Sequence, residues 1–260
     1  MIDLHSHILP GIDDGSPDLA GSVAMGRAAV AGGVEQIVAT PHVDQTYNND
    51  PLTFGERVAQ VQAALDEAGV PLTVRQGAEV AHSRLHDLSP DQLKACALGG
   101  GTYVLLEPPL VGPAPFIDRM VYDLQLKGFQ VLIAHPERIS AFQKDIEIVE
   151  KLVNQGCLTS VTAGSVGGQF GGTVKRFTAE LFGRGLVHNL ASDAHDPERR
   201  SPQLARTLED AVRAIPELEP SLGYLTGDVP RAILAGESVR GMPPVIEPKR
   251  GGVLGRLRRR

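Results

Sequence analysis

The chain contains no tryptophan and only two cysteines in 260 residues, and its aromatic content is 4%. Cys96 and Cys157 are too few for a disulfide framework, and neither belongs to a Cys-x-x-Cys pair that could hold a metal or run redox exchange. Nor can either serve as the nucleophile of a cysteine phosphatase, which needs an arginine six positions on, where this chain has Thr102 and Ala163. Both read as small core residues. A Walker A loop, a His-Glu-x-x-His helix and a Gly-x-Ser-x-Gly elbow are all missing, and Gly99–Gly101 and Gly167-Gly168 lack the spacing of a phosphate cradle. There is no run of 18 apolar residues, and Asp3 and His5 interrupt any signal-peptide pattern, so the expectation is a soluble, cytoplasmic protein.

What is present is ordinary globular composition, 42% hydrophobic and 22% charged, with length enough for one large domain. The net charge of −6 hides an asymmetry. Lys249, Arg250, Arg256, Arg258, Arg259 and Arg260 are six positive charges with no acid among the last twelve residues, which leaves the body at −12. An acidic body argues against a nucleic-acid partner. The basic Pro- and Gly-rich segment 241–260 reads as a flexible tail able to make weak contact with an anionic membrane surface.

Along the chain, short apolar runs alternate with helical patterns. Strands are expected over 2–7, 36–40, 72–79, 103–107, 130–135, 157–162 and 187–192. Helices are expected over 18–32, 53–68, 116–127, 145–154, 173–182, 202–215 and 230–235, many of them stopped by glycine, with 81–98 a polar excursion. Seven strand-then-helix units imply a parallel sheet with crossover helices and favour closure over an open doubly wound sheet. The expected fold is a single-domain α/β protein, a distorted (β/α)7 TIM-like barrel over residues 1–240.

The chemistry lies in position. Read as a strand, residues 2–7 have a period of two, so His5 and His7 share a face as a potential chelate. A His-x-His pair is uninformative alone. However, His5 and His7, His42, Glu79, Glu107, His135, and Asp193 with His195 all sit at the carboxyl ends of apolar runs. In a parallel barrel those ends converge on one rim. Eight ligand-type side chains exceed what one ion needs, so two or three divalent metals are expected; mixed imidazole and carboxylate donors suit manganese, iron or zinc, with Glu79 as a bridge. Arg138 and the Arg199-Arg200 pair lie close in sequence to these residues, and a guanidinium matches phosphate geometry. A multi-metal site with rim arginines points to a phosphate ester. The turn Asp13-Asp14-Gly15 offers spare carboxylates for a ligand or for proton transfer.

Met1-Ile-Asp-Leu-His-Ser-His7, Asp13-Asp-Gly15, Thr40-Pro-His42, Gly77-Ala-Glu79, Leu105-Leu-Glu107, Ala134-His-Pro-Glu-Arg138 and Ala191-Ser-Asp-Ala-His195 resemble, in order, the motifs of the PHP (polymerase and histidinol phosphatase) superfamily. They look most like its bacterial capsule-regulating, manganese-dependent protein-tyrosine-phosphatase branch. The resemblance implies a trinuclear site in which His5, His7, His42, Glu79, Glu107, His135, Asp193 and His195 are ligands, Arg138 and Arg200 hold phosphate, and Asp14 transfers a proton. It also implies a phosphotyrosine protein substrate, the C-terminal tail of a tyrosine autokinase, hydrolysed by a metal-bound hydroxide. Three departures stand out: Thr162 where the family has Asn, Val229-Pro230 where it has Asn-Pro, and the basic tail. A histidinol-phosphatase-like enzyme, an amidohydrolase and a catalytically silent, kinase-binding metal module are the alternative readings.

Overall fold

The computed structural model describes residues 1–239 and 243–247. Apolar runs such as Val131-Leu-Ile133 form strands buried on both faces, as a parallel sheet covered by helices requires. Among the described residues these are β1 (Ile2–Ser6), β2 (Gln36–Ala39), β3 (His42–Val43), β4 (Thr73–Gln76), β5 (Glu79–Ala81), β6 (Tyr103–Glu107), β7 (Gln130–Ala134), β8 (Leu158–Thr162) and β9 (Asn189–Ala191). All pair in parallel, in sheets of order β1-β2-β4 and β3-β5-β6-β7-β8-β9.

Nine strands replace the expected seven because β3 forms beyond the end of the expected strand 36–40 and the expected strand 72–79 is interrupted. Pro41, with no N–H for a ladder, follows β2. Between β4 and β5 the chain turns at Gly77, where an added Cβ would come 2.8 Å from Val38 Cγ1. Register survives the breaks: Ala39 faces Gln76, and three residues on His42 faces Glu79. The last strand also meets the first, since Asp193 N–H donates to His5 C=O at 2.9 Å and His7 N–H donates to Ala194 C=O at 2.8 Å.

The helices are α1 (Leu19–Ala31), α2 (Phe54–Glu67), α3 (Pro90–Cys96), α4 (Ile117–Leu126), α5 (Ser140–Lys144), α6 (Glu147–Asn154), α7 (Ala163–Gly167), α8 (Gly172–Gly183), α9 (Leu204–Ala214) and α10 (Val229–Leu234). The longer helices bury an apolar stripe, as α9 does through Leu204, Leu208 and Ala211 at helical spacing. Segment 81–98, expected as a polar excursion, has a helix of its own. It contains α3, started by a capping box in which Ser89 Oγ accepts from Gln92 N–H and Gln92 Oε1 accepts from Ser89 N–H. Apolar packing falls into an extensive cluster between strands and helices and a smaller one of Ile2, Leu4, Val38, Leu105, Leu132 and Ala134, which Val229 and Ile233 of α10 join. Within the segment read as a tail, Ile246 is buried and donates its N–H to Phe182 C=O at 3.0 Å; its cluster of six cations lies outside the described residues.

Candidate active site

β1 delivers His5, and the next turn delivers His7; their Nε2 atoms lie 3.3 Å apart. The chain then folds back over this edge, with Ser16 N–H donating to His7 C=O at 3.0 Å. Gly15 makes the approach possible, because an added Cβ would lie 2.1 Å from His7 O. The fold-back brings in both acids of the turn. Asp13 Oδ2 meets His7 Nδ1 at 2.8 Å and accepts from His42 N–H at 3.1 Å, which fixes the ring with Nε2 facing the other donors. Asp14 Oδ1 lies 3.3 Å from His195 Nε2 and 3.5 Å from His42 Nε2.

Glu79, at the start of β5, is the hub. Its Oε2 is 3.1 Å from His5 Nε2, 3.3 Å from His7 Nε2 and 3.2 Å from His42 Nδ1, while Oε1 is 2.8 Å from His135 Nε2. Glu107, ending β6, is 3.5 Å from the same His135 nitrogen. Asp193 places Oδ1 3.5 Å from His5 Nε2, and its Oδ2 accepts from both Arg138 and Arg200 at 2.7 Å. The eight expected ligands, Asp14, Arg138 and Arg200 therefore converge on one rim, whereas Arg199, among the described residues, makes no ion pair with them. Among the described residues, donor atoms lie within 4.8 Å of one another in three groups: His7, Asp14, His42 and His195; His5, His7 and Asp193; and His42, Glu79 and Glu107.

Burial and charge oppose each other throughout. Burial alone would lower His7, but its hydrogen bonds with Asp13 and Glu79 outweigh it and carry the pKa up to about 10. Glu79 and Asp193 stay ionised although burial disfavours it, because His5 offsets it for both, aided by Arg200 at Asp193. Glu107, by contrast, is pushed up to about 7 by burial and by Glu79's charge. Hydrogen bonds from His195 and His42 hold Asp14 well below the usual carboxylate range. Among the described residues three non-glycines adopt the left-handed region, Phe116 at φ 59° outside the site and, within it, His135 at φ 30° and Asp193 at φ 53°.

Several contributors were not singled out from sequence. Glu137 is buried between the two motif residues His135 and Arg138; it accepts from Thr162 N–H at 3.1 Å and Ser165 Oγ at 2.7 Å, tying the His135 turn to β8 and α7. Thr162, the departure from Asn, donates its hydroxyl to Asp193 Oδ2 at 3.4 Å. Phe170 lies under the Arg138 guanidinium, 4.7 Å from centroid to Cζ, and Tyr47 stacks on His42 at 5.7 Å with the rings 9° from parallel. An acid inside an otherwise buried motif was the one available signal, for Glu137. The aromatics arrive from distant loops and had none.

The donor set fits divalent cations. Imidazole and carboxylate atoms crowd together, and His42 Nδ1, Glu79 Oε2 and His135 Nδ1 are buried without a hydrogen-bond partner. A parallel α/β scaffold with clustered imidazole and carboxylate donors and two guanidiniums at its strand ends is the build of a metal-dependent hydrolase. The chain belongs to the family described as capsular polysaccharide synthesis, CpsB/CapC, whose model matches residues 1–217. It is 35% identical over 250 residues to the tyrosine-protein phosphatase YwqE of Bacillus subtilis, covering 94% of this chain and 95% of that protein. To the tyrosine-protein phosphatase CpsB of Streptococcus pneumoniae it is 27% identical over 217 residues, covering 80% and 88%. A chain from the crystal structures of YwqE and CpsB, described as metal-dependent tyrosine phosphatases, matches with a TM-score of 0.83 at 34% identity, covering 95% of this chain and 99% of that one.

Proposed function

We propose that this chain is a metal-dependent protein-tyrosine phosphatase acting on the C-terminal tail of a cytoplasmic tyrosine autokinase of capsule or exopolysaccharide export. The observation that carries the reading is the convergence of two guanidiniums on Asp193 Oδ2, beside the three donor groups. Arg200 Nε is buried and unpartnered there, a donor that a phosphate oxygen would satisfy. The strands are read as one closed, distorted (β/α)7 barrel, with β2/β3 and β4/β5 as interrupted single staves and the β9 to β1 hydrogen bonds as the seam.

His5, His7, His42, Glu79, Glu107, His135, Asp193 and His195 would hold two or three divalent ions, manganese by preference. Such ions supply Lewis-acid charge at phosphorus and lower the pKa of water. Asp14 is read as a further donor of the His7, His42 and His195 group: a carboxylate held ionised is poorly suited to hand a proton to a leaving group. Phenolate needs little such help. Arg138 and Arg200 bind and orient the ester phosphate, and Asp13 keeps His7 in place. Tyr47 and Phe170 give the open side of the site apolar faces suited to an aryl ester. The basic C-terminal residues would offer weak contact to an anionic membrane surface close to such a kinase.

A substrate panel tests the reading. Phosphotyrosine peptide hydrolysis should disappear with a chelator and return with manganese, and should exceed turnover of histidinol phosphate and of amide substrates. Activity indifferent to the chelator would contradict it.

A further inference from the structure

Beside the proposed site lies a cavity of about 800 Å³ between the α7–α8 segment and α9, and it shares Arg200 and Phe170 with that site. Its lining is strongly cationic although the body of the chain is acidic. Lys175, Arg199, Arg206 and Arg213 all line it along with Arg200. Acid partners do not account for them. Asp210 bonds Arg213 at 2.7 Å, whereas Lys175, among the described residues, reaches only the Gly167 carbonyl, at 3.1 Å. Arg199 and Arg206 have no ion pair within 4.0 Å among the described residues, and Glu198, the other acid of the lining, pairs with none of these cations.

The arrangement is also fixed in place. Arg206, Asp210 and Arg213 form a stripe on α9 at helical spacing, opposite the stripe of Leu204, Leu208 and Ala211 that the core buries. Gln169 Nε2 donates to Arg199 C=O at 3.1 Å and ties the floor to the Arg199-Arg200 loop. Like charges held in one concavity repel, and an anion relieves that repulsion.

We propose that this cavity is a second anion subsite, which receives an acidic or phosphorylated side chain of the same polypeptide whose phosphotyrosine occupies the neighbouring site. The inference rests on the phosphatase reading for its substrate. Seven residues of α9 between Arg206 and Arg213 cover about 10 Å. An extended peptide advances about 3.3 Å per residue, so an anion some three to five residues from the phosphotyrosine would reach the cavity. A small aryl phosphate would reach no further than Arg200 and Phe170 at its edge, and not Lys175, Arg206 or Arg213, so the subsite separates peptide recognition from chemistry.

The test is binding, measured by fluorescence anisotropy on the full-length, manganese-loaded protein. The probes are peptides with one phosphonomethyl-phenylalanine flanked either by alanines, by glutamates three to five residues away, or by a second phosphonomethyl-phenylalanine at that distance. The glutamate peptide should bind about tenfold more tightly than the alanine peptide, as a few weak exposed ion pairs would give, and added salt should shrink the difference. The third peptide shows whether a phosphate is preferred to a carboxylate. Arg206→Glu should abolish the preference and Arg206→Ala reduce it about threefold, with binding of the alanine peptide unchanged. Equal affinities of the wild type for all three peptides, or an Arg206→Glu variant that weakens all three alike, would overturn the subsite. Hydrolysis of para-nitrophenyl phosphate is followed in parallel. Its absence in the wild type with the binding preference intact would refute the phosphatase and leave the anion subsite standing.

Discussion

His188, at the amino end of β9, and His7, on the rim beyond its carboxyl end, are histidines of opposite character. At the amino end, His188 is buried and accepts Thr159 N–H on Nδ1 at 3.2 Å, and burial alone drives its pKa down to about 4. Past the carboxyl end, Asp193 and His195 join a rim where His7, equally buried, is carried up to about 10 by Asp13 and Glu79. Burial is common to both ends; convergent carboxylates are found only at one. A histidine whose partners are backbone and hydroxyl groups is a packing residue, whereas one surrounded by acids from several strands has the surroundings of a cation ligand. The contrast also places function on the carboxyl side of the sheet, as the architecture expects.

The sharpest way to break this comparison is to remove a rim imidazole. His5→Ala should lower metal content and phosphatase activity together by more than about a hundredfold, exceeding the effect of losing an orienting partner. Elemental analysis alongside the rate would show this, and metal lost without activity would contradict it. Asp13→Asn should weaken metal affinity about 10–100-fold by releasing His7 from its orientation, read as a shift in the manganese titration of activity. Arg138→Ala should keep its metal but lose about tenfold or more in kcat/KM, the worth of a charge-assisted hydrogen bond to phosphate.

The amino end predicts an effect on stability instead. His188 has a folded pKa near 4 against about 6.5 unfolded, so its contribution is intact above pH 6.5 and lost as pH falls toward 4. The loss is about 3 kcal/mol, read as the difference between wild type and His188→Gln in chemical denaturation across that range, which isolates it from the rim groups. An identical pH dependence in the variant would remove His188 from the account. The smallest effect concerns the thiols. Burial pushes Cys96 and Cys157 up to about 12, so iodoacetamide at neutral pH should leave the rate unchanged.

The same contrast explains what could be read beforehand. A strand's carboxyl end is visible in sequence as the point where an apolar run stops, so His42, Glu79, Glu107, His135 and Asp193 could be grouped from pattern alone. His188 lies inside the expected strand 187–192, near its amino end, where the pattern places no ligand. Loop closure was not legible: Asp13 reaches His7 only because Gly15 lets the chain press on the His7 carbonyl. The break in 72–79 was hidden because the pattern runs on across Gly77 while the ladder stops, and β3, past Pro41, is only two residues long. α3 was overlooked because its capping box lies in a polar stretch, where periodicity is weak. The cationic cavity could not be seen either, since Lys175 and Arg206 come together only when α9 packs beside the α7–α8 segment.

The central claim is that the rim is a multinuclear metal site that hydrolyses phosphotyrosine. Manganese titrated into chelator-treated protein, with bound metal and phosphotyrosine-peptide hydrolysis measured on the same samples, tests it directly. Activity should rise from background as two to three equivalents bind and be retained after alkylation of both cysteines; full activity in the metal-free protein, or saturation of the donors with no hydrolysis, would contradict it.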